Sequence, residues 1–94
     1  MSRTTHEANP IELQVEQFIR QKFASPRIRY LNKSDDLLDG GIIDSIGVLE
    51  LVGFLEKEFA VTVSDEDLTP ENFRSIGAIA RFVERSLQVQ SRSA

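Results

Sequence analysis

Ser45 is the side chain of this 94-residue sequence whose setting points to chemistry. It closes the stretch Leu37-Leu38-Asp39-Gly40-Gly41-Ile42-Ile43-Asp44-Ser45-Ile46, where an irregular segment gives way to a helical pattern. Gly40-Gly41 supplies backbone freedom that a side chain would forbid, positive φ included. Serine is among the best residues for the first, half-helical position, and this places Ser45 at a helix N-terminus. That end gathers unpaired N–H groups and the positive pole of the helix dipole, so a phosphate esterified to the hydroxyl would be electrostatically favoured there. Taken by itself, the stretch reads as a helix cap and nothing more.

Competing chemistries fail on residue types. The absence of cysteine excludes disulfides, thiolate metal sites and a thiol nucleophile. A serine hydrolase needs a general base within hydrogen-bond reach, yet the single histidine, His6, lies in a polar N-terminal tail, and no oxyanion motif accompanies Ser45. Counted from Asp35, Asp39 and Gly40 fall at positions 5 and 6 of a calcium-binding EF-hand loop, but Leu37 and Ile46 occupy positions 3 and 12, where oxygen ligands are required. There is no Walker loop, dinucleotide fingerprint or basic-aromatic surface, so no nucleotide or nucleic-acid partner is expected. No catalytic residue and no metal ligand is assigned.

The elements that must position Ser45 belong to one small domain. A chain this short buries about 60 to 70 per cent of its unfolded surface, too little for a large internal cavity. Its apolar runs are far shorter than the roughly 20 residues that span a bilayer, and Met1 to Pro10 is not signal-like, so a soluble, cytoplasmic protein is expected, and nothing in the sequence demands more than a monomer. The net charge of −4 is unevenly spread. Residues 1–34 carry six basic and three acidic side chains and residues 74–94 carry four and one, whereas residues 35–73 hold eleven Asp or Glu against the lone Lys57. An acidic belt therefore surrounds Ser45; it would repel nucleic acid and steer basic protein surfaces toward it.

Asn9-Pro10 reads as a cap followed by proline at the first helical position, after a flexible tail over residues 1–9. Ile11, Val15, Phe18, Ile19 and Phe23 then recur at helical spacing, in a helix that ends before Ser25-Pro26. The next twenty residues have no sustained period. Ile28, Tyr30, Leu31, Leu37, Leu38, Ile42 and Ile43 can anchor them to a bundle, with Asn32, Ser34, Asp35 and Asp36 supplying turns. A second helix is expected from Ser45 to Phe59, with Val48, Leu51, Val52, Leu55 and Phe59 on its core face. Ile46, Leu49 and Gly53 fall together on another face, bordered by Glu50, Lys57 and Glu56, a small apolar strip suited to docking. Ala60 to Val63 reads as an extended connector, and Ser64 to Asp67 as a capping box opening one helical turn that stops at Thr69-Pro70. Asn72 or Ser75 starts a last helix with Ile76, Ile79, Ala80, Val83 and Leu87 inward. The expected fold class is all-α, a small four-helix bundle of three longer helices and a short one, with a long loop between helices one and two. The expected domain covers residues 10–87, followed by a flexible tail over residues 88–94.

Leu38-Asp39 through Gly41-Ile42-Ile43-Asp44-Ser45-Ile46, with Leu49-Glu50-Leu51 and Leu55-Glu56-Lys57-Glu58-Phe59 behind it, resembles the acyl carrier protein and peptidyl carrier protein superfamily. The similarity runs from about Ile11 to Leu87 and includes the Val61 to Val63 connector and Asn72-Phe73-Arg74-Ser75-Ile76. The resemblance implies that Ser45 carries 4′-phosphopantetheine, transferred from coenzyme A by a separate magnesium-dependent phosphopantetheinyl transferase. The thiol of that arm holds an acyl group as a thioester for passage between enzymes, and supplies the sulfur that the chain lacks. It also implies that Asp44, Glu50 and Glu56 meet basic patches on partner enzymes: the ligase that loads the arm and the synthases or transferases downstream. Gly47 departs from the acidic or polar residue usual there in fatty-acid carriers, Gly53 replaces a large residue, and Lys57 interrupts an acidic run. A fatty-acid or polyketide-type acyl cargo is expected from the acidic second helix. Gly-Ile-Ile-Asp-Ser-Ile also resembles D-alanyl and other stand-alone aminoacyl carriers. A third alternative is a carrier-like interaction module in which Ser45 is only a cap.

Overall fold

A computed structural model gives the fold and describes residues 10–23, 28 and 31–92. The N-terminal tail with His6 and Asn9, and the expected helix stop at Ser25-Pro26 together with Tyr30, lie outside the described residues. Pro10 opens α1 (Pro10–Lys22), where its missing N–H has no intrahelical acceptor to lose. Helix α2 spans Ser45–Phe59, α3 is a single turn over Pro70–Phe73, and α4 runs over Ile76–Arg92. A 3-10 turn over Asp65–Asp67 sits between α2 and α3, and no strand occurs among the described residues. The fold is an all-α bundle, with α1 and α3 both packed on α4. None of the described helices is long and apolar enough to cross a membrane.

The core forms where the helical stripes meet. Val15 and Ile19 of α1, Leu51 and Leu55 of α2, and Ile76, Ile79 and Val83 of α4 are all fully buried. Val48, Val52 and Phe59, expected in the same stripe of α2, lie half-buried at its margins. Phe54, outside that stripe, stacks on Phe18 of α1 with ring centroids 4.3 Å apart. Phe73 and Phe82 are also buried and pack together, centroids 5.7 Å apart. Periodicity did not place either one, because Phe73 sits in a one-turn helix too short to show a period and Phe82 widens the buried face of α4 beyond a single stripe.

The segment between α1 and α2 is anchored through both side chains and backbone. Leu31, Leu37, Ile42 and Ile43 are buried in the core. Arg20 reaches from α1 to the carbonyls of Ile28 (2.6 Å) and Leu31 (3.2 Å), while its Nε pairs with Glu16 at 2.8 Å. The Leu37 N–H donates to the Arg74 carbonyl at 2.6 Å, and the Gly77 N–H donates to the Lys33 carbonyl at 2.9 Å. The loop is thus stitched to the junction of α3 and α4, which satisfies backbone groups that burial would otherwise leave unpaired.

The connector and turns after α2 follow local chemistry. The Ser64–Asp67 segment forms its turn, with the Asp67 carboxylate accepting from both the N–H and the hydroxyl of Ser64 at 3.0 Å. Proline at position 70 does not merely stop that turn; it takes the first position of α3, where proline is tolerated best. Of the two starts expected for the last helix, Ser75 is used, its hydroxyl accepting the Ala78 N–H at 3.1 Å. Beyond Leu87 the α4 backbone remains helical to Arg92. Helix α2 ends with Ala60 in the left-handed region (φ 57°, ψ 36°), where a Cβ is unfavourable. Ala60→Gly is therefore expected to stabilise the fold by about 1 kcal/mol, read as a higher urea midpoint with an unchanged denaturant slope.

Candidate functional site

The turn before Ser45 is built by its own residues. The Asp36 carboxylate accepts the N–H groups of Leu38 (3.0 Å) and Asp39 (2.7 Å), and the Asp36 carbonyl accepts that of Gly40 (3.0 Å). Gly41 then takes φ 75°, a conformation that glycine adopts without strain. The chain doubles back so that the Leu37 carbonyl accepts both Ile42 (3.0 Å) and Ile43 (3.1 Å). Ile42 and Ile43 enter the core, and Asp44 and Ser45 emerge at the surface.

Asp44, rather than Ser45, caps α2. Its backbone is extended (φ −102°, ψ −173°), and its carboxylate accepts the Gly47 N–H at 2.8 Å. This corrects the expectation that Ser45 holds the half-helical position. Both residue types cap well, but the carboxylate brings a full negative charge to the positive end of the helix dipole and makes the stronger, charge-assisted bond. Ser45 becomes the first residue inside the helix, and its hydroxyl is released from capping. The side chain is exposed and has no hydrogen-bond partner among the described residues. By contrast, Ser34, Ser64 and Ser75 commit their hydroxyls to Asn32, Asp67 and the Ala78 N–H respectively.

Ser45 stands at the rim of a groove of about 580 Å³. The loop and α2 contribute Leu38, Ile43, Val48 and Leu49 to its walls, and Leu68, Pro70 and Phe73 face them. The far wall was not foreseen; the proline that opens α3 was the available signal. Ile46 and Leu49 are 69% and 61% exposed, and Gly53 is exposed beside them, so the apolar strip lies on the surface as its spacing required. Asp44, Glu50 and Glu56 are exposed too, but Glu56 also accepts the Val63 N–H at 2.9 Å and so ties the connector to α2.

The two glycines of α2 differ in surroundings. A Cβ at Gly53 would meet nothing within 4 Å. A Cβ at Gly47 would lie 2.7 Å from Phe23 Cε1 and 2.9 Å from Ile43 Cγ2. The departure at position 47 thus has a packing cause: Phe23, just past α1, and Ile43 of the loop press onto the first turn of α2.

The model of the phosphopantetheine attachment site family matches residues 17–83. The chain belongs to that family, part of the carrier-protein superfamily. The matched region contains the loop, α2, α3, the groove and Ser45. A search of curated proteins returned no match. Members carry 4′-phosphopantetheine covalently, and the chain is a phosphopantetheine carrier in this general sense. The residues present fit that group, since a free, exposed hydroxyl at a helix N-terminus adjoins an apolar groove.

Four outcomes follow for stability, all measurable by urea unfolding. Asp44→Ala should cost about 1 kcal/mol through the lost cap, while Ser45→Ala should stay within about 0.5 kcal/mol of wild type. Gly53→Ala should gain about 0.5–1 kcal/mol from helix propensity. Gly47→Ala should instead lose about 1 kcal/mol, because overpacking against Phe23 and Ile43 outweighs the same gain.

Proposed function

We propose that the chain is an acyl carrier protein, not itself an enzyme, with Ser45 as the attachment residue for 4′-phosphopantetheine. The observation that carries the assignment is the Ser45 hydroxyl itself: exposed, unbonded, one residue past the cap and inside the family match. When bound, the group supplies a thiol that activates an acyl chain as a thioester. The chain's own residues do the rest. Asp44 holds the first turn by capping it, so Ser45 Oγ faces an incoming transferase from a fixed position. The hydroxyl gives up its proton to a base of the transferase as the Oγ–P bond forms, and the pyrophosphate link of coenzyme A breaks to release adenosine 3′,5′-bisphosphate. The open N–H groups of the first turn then face a phosphodiester anion. Leu38, Val48, Leu49, Leu68 and Phe73 would hold the apolar part of the arm or its cargo.

Partner enzymes, including the transferase, the loading ligase and the downstream synthase, dock on the face around Ser45. Ile46, Leu49 and Gly53 supply the apolar centre, and Asp44, Glu50 and Glu56 the acidic rim. The cargo is a fatty-acid or polyketide-type acyl group, supported by that rim. An aminoacyl cargo is the second assignment, favoured by the missing acidic side chain at Gly47, where the packing leaves no room for one. The protein works as a cytoplasmic monomer.

Intact-protein mass spectrometry after incubation with coenzyme A and a broad-specificity phosphopantetheinyl transferase tests the assignment. Wild type should gain the mass of one phosphopantetheine and Ser45→Ala none, both remaining folded by circular dichroism. A wild type that keeps its polypeptide mass, or a Ser45→Ala that gains the group elsewhere, removes Ser45 from this role. For protein from its native host, the additional mass on the arm identifies the cargo.

A further inference from the structure

We propose that Phe23 is a positioning residue for Ser45, its ring filling the space left by the absent Gly47 side chain and so fixing the first turn of α2 against the end of α1. The inference rests on the assignment of Ser45 as the attachment residue. Gly47 is buried, and the ring atoms Cε1 and Cζ of Phe23 lie 2.7 and 3.1 Å from where its Cβ would stand. Any side chain at 47 would push the ring away, so the contact of Phe23 with the first turn of α2 depends on this glycine.

The direction of the contact matters. At about 100° per residue, position 47 lies about 200° around the helix from position 45, so Phe23 bears on the side of α2 roughly opposite Ser45. It supports the first turn from behind and keeps the serine facing outward. The ring is itself held: the Phe23 N–H continues the α1 ladder to the Ile19 carbonyl at 3.0 Å, and Phe18 meets the ring edge-on, centroids 6.2 Å apart. Phe18 also stacks on Phe54, in the second half of α2, at 4.3 Å. Helix α2 therefore meets aromatic rings at two heights, Phe23 just past α1 at its first turn and Phe18 of α1 further along. Removing the upper one frees the turn that carries Ser45 while the lower one keeps the helix docked.

The test compares Phe23→Ala and the gap-filling Phe23→Met with Val83→Ala, a core truncation in α4, at a temperature where circular dichroism shows all of them folded. Amide exchange is followed by NMR, and transferase kcat and KM are measured with coenzyme A. In Phe23→Ala, the Gly47 and Val48 amides should lose protection about tenfold more than those of Leu51 and Leu55. Its kcat/KM for phosphopantetheine transfer should fall about tenfold, as for a displaced reacting group, with Phe23→Met recovering most of both effects. Val83→Ala should lower protection evenly and leave kcat/KM unchanged. Should the alanine variant fail to fold, Phe23→Leu takes its place in the same comparison. The proposal is overturned if the trimmed Phe23 variant behaves as Val83→Ala does, with even loss of protection and wild-type kcat/KM. A wild type left unmodified at Ser45 would instead remove the functional assignment, and the exchange pattern would still show whether Phe23 holds the turn.

Discussion

Leu37 is tied into the fold by three backbone hydrogen bonds and a fully buried side chain, and the placement of Ser45 depends on it. Its N–H reaches the Arg74 carbonyl, and its own carbonyl turns the chain by accepting both Ile42 and Ile43. One residue thus joins the loop to the α3–α4 junction and closes the turn that delivers Asp44 and Ser45 to the surface. A long segment without regular structure gives up backbone entropy at every residue it orders. It does so here because the same residues that satisfy its polar groups also insert Leu31, Leu37, Ile42 and Ile43 into the core. Groove and attachment candidate share this anchor, since Leu38 and Ile43 flank one wall and Phe73, adjacent to Arg74, lies on the other.

Elements longer than three turns were legible in the sequence. The apolar spacing of α1, α2 and α4 located the helices, and it separated Leu51 and Leu55, which are buried, from Ile46 and Leu49, which are not. Contests between neighbours of similar propensity were harder to read. Asp44 and Ser45 are both good caps, and their order along the chain does not say which adopts extended backbone; the charge of the carboxylate decided it. The one-turn α3 was invisible for a related reason, because Thr69-Pro70 ends one element and begins the next, and a proline signal serves both. Phe23 was read correctly as apolar but could not be paired with Gly47, since a contact across a long loop leaves no trace in local spacing.

Loss of the cap from Ser45 has a functional sense. A hydroxyl oxygen that accepted the Gly47 N–H would be turned toward the helix end with a lone pair engaged, and so less open to an incoming reagent. With Asp44 as the cap, the two tasks fall to adjacent residues, so Ser45 Oγ stays unbonded while the first turn remains closed. The arrangement also places a carboxylate next to the proposed attachment serine. There it adds to the acidic rim of Glu50 and Glu56 that a basic partner surface would meet. Glu56 belongs only partly to that rim, because its bond to Val63 makes it a brace for the connector as well.

The two glycines of α2 show how one helix is held and left free at once. At Gly47 the missing side chain lets Phe23, just past α1, and Ile43 of the loop pack closely on the turn bearing Ser45. At Gly53 the missing side chain meets only open space, so glycine there forfeits helix propensity without any gain in packing inside this chain. The docking face proposed above would give this glycine a reason that the fold itself does not. Beside the exposed Ile46 and Leu49, Gly53 leaves the surface of α2 open, and a partner docked as proposed would come close to the helix there. The buried glycine thus lies where a neighbouring ring packs on the turn that bears Ser45, and the exposed one lies open on the face proposed for docking.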